Sequence, residues 1–230
     1  MNNTDNETQK TNAGKRIMAF VIDVFLTILL AMALSFLLSM ALGAKGRTQE
    51  LNDKIGVYEA EYGVKLIVTE EEYDALTPEQ KKAYEEAYIA ASSDAELEKM
   101  YRSLVRLMLV TVCGSLLASV LILECLFPLR LGQGRSTGKL LTGLAITDRN
   151  GGRARLAALF LRALGKYVLV FLLPGYLYTM LRYWTVSSVS LALLPVLLIA
   201  QLLLFFKTPR HTPLHDLLAG TVVTDYTPDL

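Results

Sequence analysis

Four ionisable side chains lie in or beside apolar stretches of this sequence, and their types and spacing suit a site for a cation or a proton. Asp23 follows Arg16 by seven residues, and Glu124 precedes Arg130 by six. On an α-helix these separations are about 10 Å and about 9 Å along the axis. The two acids therefore reach a similar depth if Arg16 and Arg130 mark one membrane face. Arg162 follows Arg155 by seven residues and reaches the same level if its helix enters the bilayer. A charge inside a span costs roughly 3 kcal/mol on insertion and persists where it faces protein, water or an opposite charge. Two carboxylates sharing such a site raise the affinity of one of them for a proton. The expected chemistry is proton exchange or cation ligation by Asp23 and Glu124, with Arg16 and Arg162 as charge partners. The same residues would equally serve as a charge cluster that locks helices together.

Positioning these groups requires membrane-spanning helices. Hydrophobic residues make up 53% of the chain and charged residues 20%, more apolar and less charged than a soluble domain of this length. Four segments are long and apolar enough for a bilayer, which needs about 20 helical residues. They are 17–42, 104–128, 167–185 and 189–206, with a cytoplasmic tail 1–16 before them and another, 207–230, after them. The polar stretch ahead of Ile17 and the length of the first apolar run argue for an uncleaved span rather than a signal peptide. Segment 129–166 reads as a basic cytoplasmic loop. Arg155, Arg162 and Lys166 share one helical face, so 153–166 reads as an interfacial amphipathic helix, with the span beginning near Tyr167. The alternative carries Arg162 and Lys166 into the bilayer on a protein-facing side.

Charge segregation sets the orientation. Arg130, Arg135, Lys139, Arg149, Arg153 and Arg155 stand against the single acid Asp148, and basic connections stay inside. Both termini are expected in the cytoplasm, and the acidic segment 43–103 outside. That segment holds capping-box patterns at Thr69/Glu72, Thr77/Gln80 and Ser93/Glu96. They predict helices near 70–76 and 78–91, and a third from about Asp94 running into the second span. The net charge of +1 gives no reason to expect a nucleic-acid partner.

Other motifs point to less. Gly134 to Lys139 resembles a phosphate loop only loosely, because three residues separate Gly134 from Gly138 and Leu140 follows Lys139. It reads as a re-entrant or interfacial turn ahead of Leu140–Thr147, which is mixed short helix or strand, and Asp148–Gly152 is a turn. His211, His215 and Asp216 are enough for a metal site in principle, but no further ligand cluster lies nearby in sequence and Pro213 interrupts the helix, so they read as a helix start. Cys113 and Cys125 read as small apolar core residues. No metal and no cofactor is expected. No nucleophile is paired with a base, so no enzyme is expected either.

Three blocks together resemble the RDD family of bacterial membrane proteins, named for an arginine and two aspartates. They are Gly14–Asp23, with Arg16 heading the first span and Asp23 within it; Thr137–Leu144, including Gly138 and Lys139, followed by Asp148–Gly152 and Arg162; and Leu214–Val223, where the second aspartate maps to Asp216. The resemblance covers most of the chain except the outer loop, which looks like an insertion. It implies a bacterial cell-membrane location and a shared Arg/Asp core of Arg16, Asp23 and Asp216. Some members are regarded as cation/proton antiporters.

The expectation is an all-α polytopic membrane protein with four transmembrane helices and a helical extracytoplasmic insertion. It would move monovalent cations against protons through Asp23, Glu124, Arg16 and Arg162. Membrane lipid would surround it, and four spans would require a homo-oligomer to build a pathway. The competing class is a non-transporting scaffold or accessory subunit that binds a partner protein or anionic lipid.

Overall fold

The computed structural model describes residues 12–130, 134–175 and 212–226, together with 196, 199–200, 203–204 and 206–207. Most of the fourth expected span, the part of the third beyond Gly175, and His211 lie outside the described residues. The chain divides into two compact units, Leu34–Gly114 and the pair of segments Met1–Ala33 and Ser115–Leu230.

The unit Leu34–Gly114 is helical throughout its secondary structure. Helix α1 (Ala13–Ala41) ends in it, and α2 (Ala44–Tyr62), α3 (Glu70–Asp74), α4 (Pro78–Ser93) and the start of α5 (Ala95–Leu121) follow. Thr69 and Thr77 cap α3 and α4 with reciprocal capping boxes, as their sequence patterns require. The cap of α5 is Asp94 rather than Ser93. Asp94 Oδ1 accepts from the N–H groups of Glu96 and Leu97, at 2.8 and 3.2 Å, while the Ser93 hydroxyl donates to the Ile89 carbonyl. Helix α2 is an addition to the expected set. Leu51, Ile55 and Tyr58 form its apolar stripe and pack with Leu66, Ala91, Leu97, Met100 and Leu104.

The other unit carries the buried charges. Three helices among the described residues are long and apolar enough to cross a membrane: Ala13–Ala41, Ala95–Arg130 and Leu156–Gly175. The second consists of α5, a π-helical turn at Ile122–Leu126, and α6 (Phe127–Arg130). The third is α8 (Leu156–Lys166), which continues into a π-helical turn at Tyr167–Leu172. The helix runs unbroken from Leu156 to Gly175, so the interfacial break expected at Lys166 is missing. Arg162 and Lys166 are buried instead, which is the second of the two arrangements read from the sequence. Val120 of α5, Ala163 of α8 and Tyr167 form one packed cluster there.

A small sheet departs from the all-helical expectation. Strand β1 (Leu144–Asp148) pairs antiparallel with β2 (Thr221–Asp225), Ile146 opposite Val223. Each strand follows a six-residue helix and a left-handed glycine. Helix α7 (Thr137–Thr142) leads through Gly143, φ 68°, into β1, and α9 (Leu214–Ala219) leads through Gly220, φ 67°, into β2. Glycine adopts this backbone at no Cβ cost. The sequences repeat as well. Lys-Leu-Leu-Thr-Gly-Leu-Ala-Ile-Thr-Asp at 139–148 matches Asp-Leu-Leu-Ala-Gly-Thr-Val-Val-Thr-Asp at 216–225. In that alignment Ile146 is equivalent to Val223, so an approximate two-fold axis passes between the pair. Leu144, Ile146 and Val223 pack with Ala19, Cys125 and Leu159.

Candidate functional site

The paired helix-glycine-strand units deliver one charged side chain each to the spans. Lys139 sits one turn before Gly143, and Asp216 sits one turn before Gly220. Lys139 Nζ lies 3.0 Å from Asp23 Oδ2 of α1. Asp216 Oδ1 accepts a short hydrogen bond from Arg162 Nε of α8. The two halves thus use the same scaffold with charges exchanged.

Around this pair, seven charged side chains meet, each at most 6% exposed. Asp23 accepts from the Gly138 N–H at 2.8 Å and the Ser136 hydroxyl at 2.6 Å as well as from Lys139. Glu124, carried on the first π-helical turn, accepts from Arg162 Nη1 at 2.6 Å and from Lys166 Nζ at closer range. It also lies 3.9 Å from Lys139 Nζ. Lys166 Nζ completes the link to Asp23 at 4.0 Å. Asp216 faces Arg16 Nη2 at 3.8 Å and accepts from the Thr221 hydroxyl at 3.2 Å. Three carboxylates therefore meet four cations, Arg16, Lys139, Arg162 and Lys166.

Close backbone approach makes the network fit. A Cβ on Gly138 would stand 2.2 Å from the Ala19 carbonyl oxygen and 2.8 Å from Asp23 Oδ1, so only glycine lets α7 touch α1. In the other half the small residue lies on the span. A Cβ on Gly165 would meet His215 Cβ of α9 at 3.0 Å. A cavity of about 230 Å³ opens onto the cluster, lined by Arg16, Asp23, Lys139, Arg162, Lys166 and Asp216 among its polar walls and by Phe20, Leu144 and Val223 among its apolar ones.

Burial and charge set the proton affinities outside the spans. Burial pushes the Lys139 ammonium below the usual lysine range; Glu124 and Asp23 offset part of this, and Arg162 and Lys166 reinforce it. Burial alone would raise the Asp216 carboxyl, but Arg162 foremost among its neighbours holds it at about 2. His215, which also lines the cavity, is lowered to about 4 by burial. Its Nδ1 is buried without a hydrogen-bond partner among the described residues.

Asp23, Glu124 and Arg162 meet in this cluster, and Arg16 and Asp216 join them. The expected pairing differs in detail. Asp23 takes Lys139, while Arg16 reaches Asp216, because seven residues on one helix separate Arg16 and Asp23 by about 10 Å and other elements fill the gap. The two acids share ammonium groups, Lys139 and Lys166, where the spacing suggested a shared proton. Lys139 and Lys166 are the members that sequence reasoning left out, and Asp216 was read from the family resemblance alone and not as part of the ion site. The ten-residue repeat at 139–148 and 216–225 was the available signal for Lys139. Gly138 serves as a contact point, and the helix begins at Thr137, inside the stretch expected to be a re-entrant or interfacial turn, while helix to Thr142 and strand from Leu144 agree with the mixed short helix or strand expected at Leu140–Thr147. Among the described residues no group of three His, Cys, Asp or Glu is placed to hold a metal ion.

Apolar spanning helices around a buried core of opposite charges define a polytopic membrane protein. The chain matches the RDD family across residues 10–220, and it belongs to that family. No curated protein and no solved structure matches it.

Proposed function

We propose that this RDD-family protein exchanges a monovalent cation for a proton at the buried cluster, with Asp23 and Glu124 as the cation ligands and Arg16 and Arg162 fixing the surrounding charge. The observation that carries the reading is the bridge between the two acids. Lys139 lies 3.0 Å from Asp23 and 3.9 Å from Glu124, at the wall of the cavity. An ammonium and a monovalent metal ion have the same charge, so one can replace the other between two carboxylates without changing the balance of a poorly solvated site. The site would sit in a bacterial cytoplasmic membrane with both termini inside, and a second copy would complete the pathway. No catalysis of covalent chemistry is proposed.

A second reading, a non-transporting scaffold or accessory subunit, draws on a different feature: each of the three carboxylates already has a buried cationic partner. Saturated ion pairs also serve as registers between helices.

Proteoliposomes separate the two. Cation-driven proton flux by the native protein, lost in Asp23→Asn and Glu124→Gln, is the expected result. Absence of flux from folded native protein would leave the scaffold, and flux unaffected by both substitutions would remove the acids from the site.

A further inference from the structure

We infer that Lys139, rather than a carboxylate, carries the proton that the cation displaces; the inference rests on the exchange reading. The cluster holds one more cation than carboxylates, and a surplus charge in a buried site is costly. Arg16 and Arg162 cannot relieve it, because a guanidinium does not deprotonate in proteins. Two ammonium groups are left. Lys166 makes its closest contact with Glu124 and lies over the Phe20 ring, 5.4 Å from its centre, so it is held by an acid and an aromatic face together. Both lysines line the cavity and reach both acids, but Lys139 has no aromatic face over it among the described residues and stands 3.9 Å from Glu124, its 3.0 Å contact being with Asp23, which has two other donors.

Asp23 keeps two hydrogen-bond donors when that ammonium leaves. The Gly138 N–H and the Ser136 hydroxyl both donate to it, at 2.8 and 2.6 Å. Neither donor depends on the charge of Lys139. The released amine keeps a polar neighbour in Ser136 Oγ, 2.8 Å away. The charged groups facing Lys139 are Asp23 of α1, Glu124 of the first π-helical turn, and Arg162 and Lys166 of α8. Burial also places its proton affinity below that of an exposed lysine. In the balanced step, a monovalent cation enters between Asp23 and Glu124, and the Lys139 ammonium gives one proton to water. The net charge of the cluster is unchanged.

The test counts protons in detergent micelles, without transport. Full-length protein in weak buffer receives NaCl, LiCl or KCl against choline chloride at equal ionic strength. A pH dye reports proton release, and cation-dependent thermal stabilisation reports binding. Native protein is expected to release about one proton per bound cation, with apparent affinity rising about tenfold per pH unit in the range where Lys139 is protonated. Lys139→Met, or Lys139→Gln if the first fails to fold, is expected to bind the cation with no proton release and no pH dependence. Lys139→Arg is expected to abolish binding. A proton still released by a folded Lys139→Met would overturn the inference while leaving exchange standing. Failure of the native protein to bind any of the three cations would overturn both.

Discussion

Lys139 and Asp216 occupy equivalent positions in two copies of one small motif, each one turn before a left-handed glycine that feeds a strand. The carbonyls of Lys139 and Leu140 accept from the Gly143 N–H, and those of Asp216 and Leu217 accept from the Gly220 N–H. The backbones are thus capped alike while the side chains carry opposite charges. Lys139 meets an aspartate on α1, and Asp216 meets an arginine on α8. The two motifs thus each hand one charge to the cluster.

Removing Asp216 takes a carboxylate away from two cations. In Asp216→Asn, Arg162 keeps Glu124 but loses its second carboxylate, and Arg16 loses its contact with Asp216. Breaking a buried pair in this way costs about 3–5 kcal/mol. Asp225→Asn removes only the half-exposed pair with Lys15, 3.2 Å apart, and should cost less than about 1 kcal/mol. Unfolding midpoints of the two variants in detergent, side by side, check the contrast.

Two glycines should fail for different reasons. Gly138→Ala forces α7 away from Ala19 and Asp23, a steric conflict worth roughly 1–3 kcal/mol, and it should disturb any cation dependence of stability. Gly143→Ala meets nothing within 4 Å but keeps φ at 68°, a backbone penalty of about 1–2 kcal/mol. Its cation dependence should remain native. Thermal shifts with and without cation distinguish them.

Acidification should loosen the tail through His215. Its folded pKa, about 4, lies below the ordinary 6.5. Between those values the unfolded chain takes up a proton that the folded chain refuses, so stability is full above pH 6.5 and falls as pH drops towards 4. The fall is on the order of 3 kcal/mol. Asp216, held at about 2, adds a further loss only below about pH 3.8. In His215→Gln the decline between pH 6.5 and 4 should flatten, as read from unfolding midpoints across that range.

In the unit Leu34–Gly114, Asp94→Ala removes the acceptor for two N–H groups of α5 and for the Tyr58 hydroxyl, 2.8 Å away. Loss of such a cap costs about 0.5–2 kcal/mol. Hydrogen exchange should quicken at Glu96 and Leu97, while amides of α8 stay protected.

The helical parts were largely legible. Long apolar runs mark the spans, the threonines at 69 and 77 mark helix starts, and rise per residue brought Asp23, Glu124 and Arg162 to one level. Helix α2 was less visible because Gly46 and Gly56 lower its propensity and its apolar stripe is only three residues wide. Strand β1 was legible only as short helix or strand, because five residues are too few to separate the two by periodicity, and its partner Thr221–Asp225, far along the chain, was not legible at all. Lys166 was placed outside because charge near a span suggests an interface until its partners are known, and those partners are distant. Glu124 precedes it by 42 residues in the sequence, a pairing that no local pattern predicts.

The order of synthesis gives the repeat a further consequence. Asp216 emerges from the ribosome 54 residues after Arg162, so α8 must enter the bilayer while its arginine still lacks one of its carboxylates. Glu124 precedes Arg162 and is at hand, but β1 has no partner strand until Thr221–Asp225 is made. The nascent chain therefore passes through a stage with an unpaired strand and an incompletely neutralised span. A chain released before Asp216 would therefore hold Arg162 with one of its two carboxylates missing.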